Sequence, residues 1–505
     1  MTRGSVHPPS LTRQASWLLT ARVAGYAFTF AVPLVLVRLL SQVEFGLYKQ
    51  AFLVVATAQT VLPLGVGMSA FYFLARERER QGGIVLNILL FNLLVGAAAW
   101  LVLATFPDVL VRLFGDPQLV PYARLIGVAI LVAVFASFLE VVATANQEVR
   151  YSTMFIIAAQ LTRGVVMVAA ALWFTSIAAL LYAAVLQGLL QSAVLLWYLR
   201  SRFGAYWTQF DRTLFRTQLA YAMPFGLAGL VYTLQTDLHQ YMVAHVFGAA
   251  TFAVYAVGCF QLPLTLLLRD SVGSVMIPRV TTLQHGQERL EIVRLIVRVM
   301  RKLSLVYLPI YAFFVVTGRE LIVALFTERF VDSWPIFLVN LTFVPLAILV
   351  NDPVLRAYPE HRHFLLKLRV ALLALLVLAL QAGIREFGLL GAITSVVLIA
   401  ILERAVITWR VARILEVRRV DLAPLADIGR VAAAAAAAAL VAALVRSLVV
   451  ALAPLVVLGA CAAAFILVYA TALLLLKVPT QEESRLAQRQ LARLRNRLLP
   501  APLRA

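Results

Sequence analysis

Arg22, Arg163 and Arg269 each stand inside a stretch that is otherwise apolar. An arginine keeps its charge and offers a planar fork of donors that matches phosphate. Three such residues could form a cationic path for an anionic group. Arg22 is about seven residues into its stretch, a depth of roughly 10 Å at 1.5 Å per residue. Arg163 is near the middle of its own, too deep to reach headgroups easily. Arg269 is followed by Asp270. For Arg22 and Arg269 a second reading stays open: snorkelling to headgroups, or a local pair between Arg269 and an acid.

Acids and amides add to this set. Asp237, with His239 and His245 nearby, could bind a coupling H+ or Na+, or close a gate by pairing with an arginine. A purely structural role for Asp237 competes equally. Glu140, Asp270 and the neighbours Glu403 and Arg404 lie near span ends and read as gate or interface residues. Asn87, Asn92, Gln59, Gln160, Gln187 and Gln191 could meet a hydroxyl-rich ligand, or could bond helix to helix. Nothing points to covalent chemistry. No catalytic set, P-loop, HExxH or GxSxG motif occurs. Cys259 and Cys461 lie in apolar runs, and His361 and His363 lack carboxylate or thiolate company, so no metal site and no cofactor are expected.

The elements that must hold these residues follow from composition. Of 505 residues, 62% are hydrophobic and 13% charged. A soluble domain is nearer 45–50% apolar and 25% charged. This chain must use lipid as solvent. About fourteen stretches approach the roughly 20 residues needed to cross a 30 Å core. They fall near 15–38, 46–74, 84–106, 121–143, 153–174, 178–199, 217–246, 252–278, 303–317, 333–352, 364–384, 388–409, 431–450 and 453–476. The fold class is an all-α polytopic membrane protein. The net charge of +20 would suggest nucleic acid in a soluble chain. Here it sets topology, and no nucleic-acid partner is expected. With the N-terminus cytoplasmic, Arg76, Arg78 and Arg80, then Arg200, Arg202, Arg212 and Arg216, then Arg289, Arg294, Arg298, Arg301 and Lys302 fall inside. So do Arg410, Arg413, Arg418, Arg419 and the tail. Outer segments hold only Arg38, Lys49, Arg112, Arg319, Arg329, Arg385 and Arg446. Both termini are therefore expected on the cytoplasmic side.

An internal repeat organises the spans. Phe45-Gly46-Leu47-Tyr48 is echoed by Phe252-Ala253-Val254-Tyr255, and the segment Asp108–Phe114 by Glu320–Phe326. The offsets are about equal, as one duplicated six-helix unit requires, and an even helix number keeps both copies in the same orientation. The expected organisation is an N-lobe (1–199), a linker (200–216), a C-lobe (217–409), a loop (410–430), two extra spans (431–476) and a basic tail (477–505). Two like lobes about a central cavity suit a carrier that works by alternating access. In the tail, Leu486, Leu491, Leu494 and Leu498 share a face while Arg485, Arg489, Arg493 and Arg497 occupy others, an interfacial helix on anionic lipid.

The segment Arg38–Tyr48, with Glu44-Phe45-Gly46, resembles the RxLGxxEFGxY signature of Wzx-type polysaccharide flippases. It differs at Ser41-Gln42. Asp237 with Gly248 and Phe252–Tyr255, and Glu320–Phe326 with Ser333, resemble further segments of the same proteins. These belong to the multidrug/oligosaccharidyl-lipid/polysaccharide (MOP) exporter superfamily. The resemblance implies a MATE-like arrangement of two six-helix lobes, and a bacterial inner-membrane location. It implies cargo made of sugars joined by pyrophosphate to a polyprenyl lipid, with a glycan polymerase and export machinery as further partners. Arg22, Arg163 and Arg269 would then engage the pyrophosphate. Asn87, Asn92, Gln59 and Gln160 would touch sugar. Two rivals share the fold, a cation-coupled multidrug exporter and a lipid II flippase. A membrane glycan polymerase or ligase is a rival of another class, and would need catalytic residues on a sizeable external loop.

Overall fold

Long runs that are apolar on every side leave a backbone in lipid one solution, hydrogen bonding within its own helix. The computed structural model, which describes residues 30–358 and 362–478, follows that rule and contains no strand among them. Arg22 and the expected tail helix lie outside the described residues, as does His361.

In chain order the helices are α1 (Phe30–Leu39), α2 (Gln42–Val61), α3 (Ser69–Arg76), α4 (Gln81–Thr105), α5 (Val109–Phe114) and α6 (Ala123–Ala136). Then come α7 (Phe138–Ala145), α8 (Val149–Phe174), α9 (Ile177–Phe203), α10 (Arg212–Gly258), α11 (Pro263–His285) and α12 (Arg289–Phe326). The last are α13 (Trp334–Asn340), α14 (Phe343–Leu346), α15 (Asp352–Ala357), α16 (Arg362–Ile414), α17 (Ala426–Val449) and α18 (Pro454–Leu475). Starts are set by local chemistry. Ser41 and Glu44 form a capping box at α2, Ser176 caps α9, and Asp211 caps α10.

Nine helices among the described residues are long and apolar enough to cross a membrane, or ten if the bent pair α2–α3 counts as one span. The first expected span lies mostly outside the described residues, and among the described ones the other expected spans are not all separate long helices, for identifiable reasons. At 1.5 Å per residue α10 would reach about 70 Å and α16 about 80 Å, more than twice the hydrocarbon core. α16 holds two expected spans, joined at Gly388 (φ 59°), whereas α10 holds the seventh and, past Gly248 (φ 73°), only the start of the eighth, whose remainder lies in α11. That left-handed geometry suits glycine and strains any residue with a Cβ. The second span is broken between Val61 and Val66, where Leu64 and Gly65 have positive φ and the axis bends by 42°. The tenth is divided between the short helices α13 and α14. The ninth runs well beyond the expected 303–317 in both directions.

Two compact units emerge from the packing, with limits different from the expected lobes. The first comprises the described residues of Met1–Val275, Leu325–Asn340 and Pro359–Glu403. Its core joins Phe114, Ile126, Ile130, Phe252, Tyr255, Leu376 and Leu380, and a second cluster joins Ile84, Ile88, Phe138, Leu195 and Tyr198. Within it α2 and α10 lie along one another. Gly46 meets the Ala249 carbonyl, Tyr241 donates to the Leu53 carbonyl at 3.5 Å, and Gly226 meets Leu64.

The second unit comprises Met276–Ala324, Leu341–Tyr358 and the described residues from Arg404 onward. Here α12 and α17 are tied at both ends. Arg301 donates to Asp427 at 2.8 Å, and Arg446 to Glu320 at 2.9 Å. The two pairs are equally spaced on both helices (301 to 320, 427 to 446), so the helices run parallel. That spacing is about 28 Å of helix, close to one hydrocarbon thickness. Between the clamps, Ala438 and Ala442 of α17 pack with Val457, Cys461 and Phe465 of α18, and Phe313 of α12 closes the cluster. The alanine run thus serves close helix packing.

Candidate functional site

Residues three or four apart share a helix face. Gln160 and Arg163 therefore project together from α8, and Gln187 and Gln191 from α9. In the first unit both pairs turn toward one cavity of about 330 Å³, walled by α2, α6, α7, α8 and α9. Gln59 enters from α2, Glu140 from α7, and Ser137 from the α6–α7 joint. Phe52, Phe155 and small residues such as Ala133 and Ala159 form the apolar wall.

Arg163 sits fourteen residues after the start of α8 and eleven before its end. It is thus about 21 Å from one end and 16 Å from the other. A charge this deep in a span is costly unless it faces water or a ligand. Gln59 donates to the Ala133 carbonyl at 3.4 Å, and Gln187 to the Ala159 carbonyl at 3.5 Å. These bonds hold the two amides in place yet use one of each amide's four hydrogen-bonding positions. One permanent cation, one carboxylate and four amides in an otherwise apolar chamber can bind a polar, partly anionic group through many hydrogen bonds. Nothing in this set supplies a nucleophile with an activating base.

Of the expected site residues, Arg163, Glu140, Gln59 and Gln160 come together here, joined by Gln187 and Gln191. Arg269 does not; it is exposed on α11. The side chain of Asp270 falls outside the described residues. Asp237 is half-buried on α10 beside Thr57 of α2, in the α2–α10 seam and not in the cavity wall. His239 is buried and bonds through Nδ1 to the Tyr255 hydroxyl at 2.7 Å, so it ties the helix to the second copy of the repeated motif.

Asn87 and Asn92 depart from the expected sugar contact. Both are buried, at 0% and 1% exposure. Asn87 donates to the Asp211 carbonyl at 3.1 Å and to Gln218 Oε1 at 2.9 Å, while Asn92 donates to the Val134 carbonyl at 3.4 Å. These amides bond helix to helix, and no cargo can reach them in this conformation. Glu403 and Arg404 also do not act as a pair. Adjacent positions diverge by about 100° around a helix. Glu403 accepts from Gln235 at 3.1 Å and lies 3.9 Å from Arg369, whose guanidinium covers the Tyr232 ring at 4.8 Å. Arg404 lies 3.9 Å from Asp352. Ser137, Phe52 and Phe155 carry no sequence signal that marks them as cavity residues. Among the described residues no cluster of three or more His, Cys, Asp or Glu could hold a metal ion.

A family model described as polysaccharide biosynthesis protein matches residues 35–335. No curated protein matches the chain. Among solved structures, the lipid II flippase MurJ in an inward-closed conformation is similar with a TM-score of 0.70 at 10% identity, over 91% of this chain and 98% of that one. An inward-facing multidrug resistance MATE-family transporter of the MOP superfamily gives 0.61 at 13% identity, over 79% and 99%. A MOP-superfamily transporter from Pyrococcus furiosus gives 0.55 at 13% identity, over 81% and 96%. At these identities the likeness is one of fold, and the fold is that of MOP-superfamily transporters.

Proposed function

Because the chain belongs to the polysaccharide biosynthesis protein family and has the fold of MOP-superfamily transporters, we propose that it is a flippase for lipid-linked oligosaccharide. It is a multi-pass membrane protein. In the proposed cycle, sugars joined through pyrophosphate to a polyprenyl lipid enter from the cytoplasmic leaflet of the inner membrane and leave in the outer leaflet. The tail of such a cargo is content in lipid throughout, whereas its head is far too polar to cross unaided. The protein therefore supplies a wet, cationic path for the head and makes or breaks no covalent bond.

The observation that carries this reading is the membrane-depth chamber in which Arg163 meets Gln59, Gln160, Gln187 and Gln191. Arginine suits the fork geometry of phosphate, and the amides suit sugar hydroxyls. A site built for cationic drugs would favour acids and aromatics over a central arginine. A coupling H+ or Na+ would be carried by Glu140 at the chamber or by Asp237 in the α2–α10 seam.

The test is reconstitution in vesicles with undecaprenyl-pyrophosphate-linked glycan on one leaflet and a cationic dye in parallel. Outward movement of the glycan without dye transport is the expected result. Dye efflux that depends on Asp237, with no glycan moved, would assign the chain to drug export instead.

A further inference from the structure

Two arginines far apart in sequence cap one another's helices. Arg38, in the last turn of α1, donates to the Leu34 carbonyl of its own helix and to the Leu325 carbonyl near the end of α12, the latter at 2.9 Å. Arg329, in the segment that follows α12, donates back to the Val37 carbonyl at 3.0 Å and the Leu40 carbonyl at 3.4 Å, at the end of α1. Gln42 adds a bond to the Arg329 carbonyl. Phe45 meets Phe330 edge-on, with ring centroids 5.7 Å apart and both side chains fully buried. A helix end leaves four carbonyls without partners and carries about half a negative charge. Each arginine answers the other helix's need, so the two ends are latched reciprocally.

The place of this latch matters. Arg38 and Arg329 are among the few basic residues on the side expected to face outward. The latch joins the first copy of the repeated motif to the segment that follows the second copy of the Asp108–Phe114 pattern. All of these residues belong to the first compact unit, so outward opening here parts the α1 end from the segment Leu325–Phe330 within that unit. Parting takes the Leu325 carbonyl from Arg38 and the Val37 and Leu40 carbonyls from Arg329, while both charges remain. The group then leaving through the opening, on the function proposed above, is a pyrophosphate.

We propose that Arg38 and Arg329, both exposed, form a second phosphate site whose donors are engaged by backbone carbonyls while the α1 and α12 ends are latched and turn to the departing head when they separate. Release then involves an exchange, carbonyl oxygens for phosphate oxygens, and re-latching expels the anion. This inference rests on the flippase reading.

The test separates the latch from the anion site. In a background with Cys259 and Cys461 replaced by serine, Leu40→Cys, buried at the latch, reports opening through its labelling by a membrane-impermeant maleimide. The paired change Arg38→Gln and Arg329→Gln should raise labelling severalfold. It should also slow outward movement of undecaprenyl-pyrophosphate-linked glycan by roughly tenfold or more, the effect of losing a charge-assisted contact. Arg38→Lys with Arg329→Lys, which keeps both charges, should restore most of the transport while labelling stays raised. Faster labelling with transport unchanged or accelerated would overturn the phosphate site. Unchanged labelling would overturn the latch. Absence of glycan transport by the unmodified protein would instead overturn the flippase reading, and the exchange with it.

Discussion

Gly46→Ala is the sharpest probe of the seam that closes α2 against α10. A Cβ at Gly46 would stand 1.9 Å from the carbonyl oxygen of Ala249 and 2.5 Å from its carbon, both backbone atoms. Ordinary contact begins near 3.4 Å. The helices would have to separate locally by about 1.5 Å, because no flexible side chain can yield. Overpacking of this kind costs about 1–3 kcal/mol, and here it falls between Phe45, Leu47, Tyr48 and Ala51, all buried on the same turn or the next. Gly229→Ala on α10 is the matched control. A Cβ there meets nothing within 4 Å, and alanine favours a helix over glycine by about 1 kcal/mol. Thermal unfolding in detergent should show a lowered midpoint for Gly46→Ala and an equal or raised one for Gly229→Ala. Labelling of the Leu40→Cys reporter should rise in the first and not in the second. Equal stability and equal labelling in the two variants would refute close approach of α2 and α10 at Gly46.

Further outcomes follow from buried polar groups. Arg446→Leu alone leaves the Glu320 carboxylate, 5% exposed, without its partner, and should cost about 3–5 kcal/mol; adding Glu320→Leu should recover much of that loss, as denaturation of the two variants would reveal. Asn87→Leu removes donors from Gln218 and the Asp211 carbonyl and should cost about 1–3 kcal/mol, with the transport rate per folded molecule unchanged because Asn87 does not line the cavity. Gly388→Ala puts a Cβ at φ 59° and should destabilise by about 1–2 kcal/mol in a melting experiment, although that Cβ would make only an ordinary contact with the Phe247 ring at 4.0 Å.

The spans were readable because hydropathy alone decides where lipid can surround a helix. α4, α8, α9, α17 and α18 begin and end within a few residues of the expected limits. Where helices join was not readable. Gly248 and Gly388 look like any glycine in an apolar run, and only the backbone reveals that each is a non-helical kink joining two helices. Half of the candidate site was legible from spacing, since Gln160 with Arg163 and Gln187 with Gln191 must share faces. Which polar face looks into a chamber and which into a neighbouring helix depends on packing. Asn87 and Gln59 are alike in a sequence, yet one is sealed against Gln218 and the other lines the cavity. The pairing of Glu403 with Arg369 and Gln235, over its neighbour Arg404, likewise needed three dimensions.

The central claim is that Arg163, in the chamber inside the first unit, carries the anionic head. Outward translocation of undecaprenyl-pyrophosphate-linked glycan by reconstituted protein, compared among the unmodified chain, Arg163→Lys and Arg163→Gln at equal folded amounts, measures it directly. A charge-assisted hydrogen bond contributes about 1.5–3 kcal/mol, so Arg163→Gln should be slower by roughly tenfold to a hundredfold, with Arg163→Lys in between. Equal rates in all three would contradict the claim.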